Sequence, residues 1–284
     1  MRWWGRIFCA IIVIFLWLIL TIIFIPSDAQ AETWNHRAYA SLSKNSPSKA
    51  KYVQGVAYDG NKYAYVVKQN SSKHQSLWRV NMNKGGSATK MKLSAKTKKL
   101  IHHGNDLECL KIGKVQYLLV APCKNHNKYL RIFKIKGKNC SYIKSIKFNF
   151  LPKVSAITVV SHKGTIVKCI IGKGKKLWMA KFDLIKRKTV KNLGRVYGYC
   201  SNQGISYKDG YLLSCDGGYK TRLGNVRKYK VVKSGKHWNL RKVWTRQIKG
   251  ECEGAFYDRT GKICIAMEGK WHWGYSDRIV RWSR

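Results

Sequence analysis

Gln203-Gly204-Ile205-Ser206-Tyr207-Lys208-Asp209-Gly210-Tyr211-Leu212-Leu213 reads as a strand, a two-residue turn and a returning strand. Asp-Gly between two apolar runs is a strong hairpin signal, because glycine takes the positive φ that a tight turn needs. The hairpin opens on a polar residue followed by a small one, and the same grammar recurs along the chain. Gln54-Gly55-Val56-Ala57-Tyr58-Asp59-Gly60 leads into Tyr63–Val67. Glu108-Cys109-Leu110 leads through Gly113 into Gln116–Val120, and Ser155-Ala156-Ile157 through Gly164 into Thr165–Val167. Glu253-Gly254-Ala255-Phe256-Tyr257-Asp258 leads through Arg259-Thr260-Gly261 into Lys262–Ile265.

The five openings are spaced by about 50 residues, a period that with β grammar indicates propeller blades. A third strand follows each hairpin, at 77–80, 129–133, 177–180, 225–229 and 278–282. A polar outer strand follows the first four, at 89–93, 142–148, 189–196 and 241–248. The fifth unit has no residues left for one, so Trp34–Leu42 is expected to pair beside Arg278–Trp282 and close the ring. Closure removes the exposed edges of an open β array. The expected fold is therefore an all-β, five-bladed β-propeller closed by an N-terminal strand. A sandwich array is the competing arrangement. No helical period follows residue 31, which argues against α and α/β folds.

Residues 1–31 read as an export segment. Arg2 and Arg6 precede the apolar run Ile7–Ile25, and Ala29-Gln30-Ala31 is a small-x-small cleavage site. The run is also long enough for an uncleaved anchor. Either way, residues 32–284 are expected as a single domain that is extracellular or on the outer face of the plasma membrane.

The chain carries 56 Lys+Arg against 13 Asp+Glu, a net charge of +43, spread along its whole length. Such a surface attracts polyanions. Outside a cell these are anionic cell-wall polymers, acidic glycans or a membrane surface, and nucleic acid is not the expected partner there. The alternative is a solubility or growth-pH feature. Eight cysteines follow the export segment, an even number that permits disulfides. Several sit mid-strand, where Cys behaves as a small apolar residue, so pairing stays open. No metal signature, phosphate loop or nucleophile elbow is present, and no cofactor is implied. His102 and His103 are adjacent, so on a strand they point to opposite faces and do not share an ion. A monomer is expected.

Gly55, Cys109, Ala156, Gly204 and Gly254 suit inner strands converging on an axis. The polar residues before them, Gln54, Glu108, Ser155, Gln203 and Glu253, are expected to ring the central channel. Asn105 and Asp106 lie beside Glu108, and Glu251 beside Glu253. As a ligand site, such carboxylates and amides would hold sugar hydroxyls; as an acid/base set, Asp106, Glu108, Glu251 and Glu253 would serve a glycan hydrolase or lyase. As a structural set they would bond free backbone groups where the inner strands meet. Trp271 and Trp273, between the last two strands, offer a stacking surface for a sugar or a membrane interface.

The openings Gln54-Gly55, Gln203-Gly204-Ile205 and Glu253-Gly254, with the closing Arg281-Trp282, resemble helveticin-type class III bacteriocins, secreted five-bladed propellers of lactic acid bacteria. The Gln-Gly openings are also similar to those of plant-type glutaminyl cyclases. Where the cyclases carry a Glu-Ser-Thr-Gly-like segment, this chain reads Val67-Lys68-Gln69-Asn70. The first resemblance implies a secreted protein acting on the envelopes of competing bacteria, with no residue roles to carry over.

Overall fold

The computed structural model describes residues 36–41, 52–69, 75–83, 87–123, 128–173, 175–186, 190–198, 200, 203–217, 223–268 and 277–282. The chain divides into Met1–Glu32 and Thr33–Arg284. Residues 1–31, read above as an export segment, and Trp34, Leu42, Trp271 and Trp273 lie outside the described residues. Among those described, no helix is long and apolar enough to cross a membrane.

The protein is all-β. Its strands run as antiparallel meanders of four, the third and fourth of which are joined into one eight-stranded sheet by a parallel pairing of Val196 and Tyr197 with Trp238 and Asn239. The first is β2 (Tyr52–Tyr58), β3 (Tyr63–Gln69), β4 (Gln75–Asn81) and β5 (Ser87–Lys90). The second is β7 (Asp106–Ile112), β8 (Val115–Ala121), β9 (Tyr129–Lys136) and β10 (Asn139–Lys147). The third is β11 (Ala156–Lys163), β12 (Ile166–Lys173), β13 (Lys176–Asp183) and β14 (Lys191–Tyr197). The fourth is β15 (Gly204–Lys208), β16 (Tyr211–Gly217), β17 (Leu223–Ser234) and β18 (His237–Lys249). The last is β19 (Glu251–Tyr257), β20 (Ile263–Glu268), β21 (Arg278–Trp282) and, from the other end of the chain, β1 (His36–Ser41). β1 runs antiparallel to β21, with His36 opposite Trp282 and Ser41 opposite Arg278, which is the pairing expected of the N-terminal segment.

The turns follow their chemistry. Lys208 pairs with Tyr211, leaving Asp209 (φ 49°) and Gly210 (φ 84°) as a two-residue loop with both φ positive, the loop whose twist matches that of the strands. In the first meander Asp59 Oδ1 accepts the N–H groups of Asn61, Lys62 and Tyr63. Asp258 Oδ1 accepts those of Thr260 and Lys262 in the last. The short carboxylate thus replaces the ladder bonds that the turn lacks.

Alternation along the strands gives each meander two apolar faces, and each buried cluster joins two neighbouring meanders. Leu77, Leu107, Leu118 and Phe133 join the first and second, and Leu119, Phe148, Ile171 and Phe182 the second and third. Ile170, Met179, Leu212 and Tyr229 join the third and fourth, and Leu213, Val226, Ile265 and Val280 the fourth and last. Val56, Val66, Cys264 and Ile279 join the last to the first. The opening strands follow the same cycle: β2 contacts β7 and β19, β7 contacts β11, β11 contacts β15, and β15 contacts β19.

Two local features depart from the sequence reading, and a third concerns the cysteines, whose pairing it left open. The outer strand expected at 89–93 breaks at Met91, which turns into the core at 3 % exposure. Lys92–Leu93 (β6) then pairs in parallel with Asn139 and Cys140 of the second meander. A short helix, α1 (Ala95–Ile101), follows, capped by Ser94, whose Oγ accepts the N–H of Thr97. It buries only Thr97 and Ile101, too few positions to write a helical period into the sequence. Finally, all eight described cysteines are free thiols, six of them buried.

Candidate functional site

The opening strands converge where the small residues permit. A Cβ on Gly254 would lie 2.5 Å from Val56 Cγ1, one on Gly55 2.5 Å from the carbonyl of Gly104, and one on Gly204 3.0 Å from the carbonyl of Glu253. These contacts set the register. Gly204 lies against Glu253, and Gly55 lies in the same way against Asn105, whose carbonyl oxygen would be 3.0 Å from a Cβ on that glycine. The polar position of the second meander therefore belongs to Asn105, not to Glu108. Asn105 Nδ2 donates to the carbonyls of Ser155 (2.8 Å) and Gln203 (2.6 Å), the corresponding residues of the next two meanders. Gln54 and Glu253 are buried and sit at register shifts in β2 and β19, where a bulge re-aims the side chain.

Asp106 then falls at the position held elsewhere by glycine or alanine. Its side chain crosses the space those residues leave open, with Oδ1 3.2 Å from where a Cβ on Gly204 would be. Oδ2 accepts the N–H of Ile157 (2.9 Å) and of Ile205 (3.1 Å), while Oδ1 accepts that of Leu107 (3.0 Å). One carboxylate thus ties β7 to β11 and β15. Burial pushes its pKa well above the carboxylate range, reinforced by Glu108 and opposed by the backbone donors.

Glu108 repeats the device one step along the strand. Oε2 accepts from Thr158 Oγ1 (2.7 Å) and the N–H of Val159 (3.0 Å), and Oε1 from the N–H of Cys109 (3.0 Å). Thr158 Oγ1 in turn accepts the N–H of Tyr207 (2.8 Å), extending the chain from β7 through β11 to β15. Burial raises the Glu108 pKa to about 7, against the pull of these donors. A carboxyl whose pKa is raised in the folded state binds its proton more tightly there than in the unfolded chain. Its contribution is full below the unfolded value of 4.5 and is lost as pH rises through about 7. Denaturant midpoints are therefore expected to fall between pH 4.5 and 7, and less steeply in Glu108→Gln. Identical slopes in the two proteins would remove Glu108 as the source.

The remaining candidate acids lie apart from this pair in bonding. Glu251, Glu253 and Glu268 are buried together, with carboxylate oxygens within 4.8 Å of one another, and Glu251 faces Glu268 across the β19–β20 pair. His103 Nδ1 lies 3.0 Å from Gln69 Oε1. Burial, then the charges of His102 and Lys153, lower the His103 pKa to about 4, so it packs as a neutral ring. Glu108 also borders a cavity of about 130 Å³ with Tyr58, Tyr207, Lys208, Phe256 and Tyr257. Tyr58 and Phe256 stack there at 5.3 Å. The sequence reading missed Thr158. Its signal was its place two residues after Ala156, on the face that Glu108 reaches.

No protein-family model matches the chain, and no curated protein matches it. Among solved structures it is similar to the crystal structure of the RRP9 WD40 repeats, at 10 % identity and a TM-score of 0.39. That match covers 82 % of this chain and 67 % of the other. The structure of U3-55K is similar at 12 % identity and a TM-score of 0.35, covering 82 % and 68 %.

Proposed function

We propose that this chain is a secreted, strongly basic, five-bladed β-propeller that binds the anionic polymers of bacterial envelopes without catalysis. The cyclic packing of the meanders and the β1–β21 pairing support the propeller. One observation carries the binding reading: the acids are inside. Among the described residues Asp209 is the only solvent-exposed acidic side chain. Asp106, Asp183, Glu251, Glu253, Asp258, Glu268 and Asp277 are buried. Asp59 holds a turn, Glu108 holds backbone N–H groups, and Asp216 pairs with Arg227 at 2.7 Å. The solvent thus meets lysine and arginine with almost no opposing charge, a field that gathers polyanions from solution. The acids at the axis bond backbone groups, which favours a scaffold over an acid/base pair. In this reading residues 1–31 export the chain, and the helveticin-type likeness reflects action on an envelope.

Residues 32–284 are expected to bind Gram-positive walls in low salt and to be released at roughly half-molar salt, where screening shortens the reach of charge to a few Å. Walls stripped of teichoic acid should retain much less protein. Equal retention on stripped and intact walls would reduce the basic surface to a solubility or growth-pH feature.

A further inference from the structure

A second recess, away from the axis, combines charge with an aromatic wall. It is a shallow, open depression of about 400 Å³ between the second and third meanders. Trp178, on β13, and Phe150, in the turn after β10, form its wall, with ring centroids 6.4 Å apart and planes at 55°. Phe150 packs edge-on to Phe148 at 5.9 Å, and Phe148 to Phe182 at 5.8 Å, so the wall is anchored to fully buried rings. Lys128, Lys176 and Arg195 line the same recess, and no acid does. Arg195 is fixed opposite Trp178 by the β13–β14 pairing, its guanidinium 6.0 Å from the indole centroid.

We propose that this groove docks one sugar-phosphate unit of a phosphodiester-linked glycopolymer, an inference that rests on the polyanion-binding reading above. A lysine and arginine cluster holds phosphate through charge-assisted hydrogen bonds. The apolar C–H face of a sugar ring suits a partly exposed indole, and Asn149, also in the lining, offers an amide to its hydroxyls. A nucleic acid strand is disfavoured, because successive bases need successive stacking platforms. The tilt between Trp178 and Phe150 leaves one platform rather than two.

The test is calorimetric titration of the secreted form with purified, glycosylated poly(glycerol phosphate) at about 0.15 M salt, where long-range attraction is already screened. Trp178→Ala and the double variant Lys176→Glu/Arg195→Glu should each weaken binding about tenfold or more, as expected of an anchor in an aromatic pocket. Trp178→Phe should keep most of it, which separates the ring's role from any loss of folding. Lys98→Glu/Lys99→Glu, the same charge change on the exposed face of α1, should cost only a few-fold. Groove variants no weaker than that control would overturn the groove while leaving the binding reading intact. Unglycosylated polyphosphate or single-stranded DNA binding as tightly, with the same dependence on Trp178, would overturn the sugar-phosphate assignment. A wild-type protein that binds none of these polymers would overturn both.

Discussion

Asp106→Ala is expected to destabilise the domain by about 3–6 kcal/mol, because three backbone N–H groups lose their acceptor at a site without ready access to water. For a domain of this size that is a fall in melting temperature of roughly 10–20 °C. The three donors belong to Leu107, Ile157 and Ile205, so the loss loosens β7, β11 and β15 together. The carboxyl itself is buried at a cost, which its raised pKa records, and this sets the figure below the sum of three unopposed penalties. Asp106→Asn keeps the shape and one oxygen but turns an N–H2 toward donors, so its effect should fall between wild type and alanine. Thermal and denaturant unfolding of the three proteins measures this directly. A loss for alanine below about 1 kcal/mol would mean that water serves these N–H groups equally well, and that the axis is not held by the carboxylate.

That residue also marks where the sequence stopped being legible. The hairpins were readable because Asp209-Gly210 and Asp59-Gly60 state their geometry locally, and the small residues because crowding admits few side chains. The second meander broke the pattern. Glu108-Cys109 mimics the polar-small opening, while the true register puts Asn105 at the polar position and Asp106 at the small one. An aspartate fits there because Gly204 leaves space for its carboxylate, and that residue lies far away in the chain. No local rule reports such a vacancy. Composition likewise gave 56 basic residues against 13 acidic ones without saying where the acids lie. Their burial, which turns a net charge into a one-signed surface, follows from tertiary bonds to turns and to the axis. The recess beside Trp178 was hidden for the same reason, since its walls come from segments that are adjacent only after the second and third meanders pack.

The seam between the last and first meanders carries the other large expectation. Lys68 on β3 and Asp277, just before β21, form an ion pair of 2.7 Å, with side chains 1 % and 4 % exposed. Lys68 is the only buried cation among the described residues, whereas Glu251, Glu253, Asp258, Glu268 and Asp277 of the last meander are all buried acids. It lies on β3, so this strand brings a cation to a seam rich in carboxylates. Lys68→Met removes that cation and leaves Asp277 without it. Breaking a buried pair from one side costs about 3–5 kcal/mol, and Asp277→Asn should cost a comparable amount. The double variant should recover much of the loss, since two neutral groups need no compensation, and the double-mutant cycle should return a coupling of at least about 1 kcal/mol. Asp277 lies directly before β21, which pairs with β1, so Lys68→Met should also speed proteolysis near these strands before it does so in the third meander. Additive losses in the cycle, or cleavage that begins elsewhere, would show that the apolar cluster of Val56, Val66, Cys264 and Ile279 closes the seam without help from the ion pair.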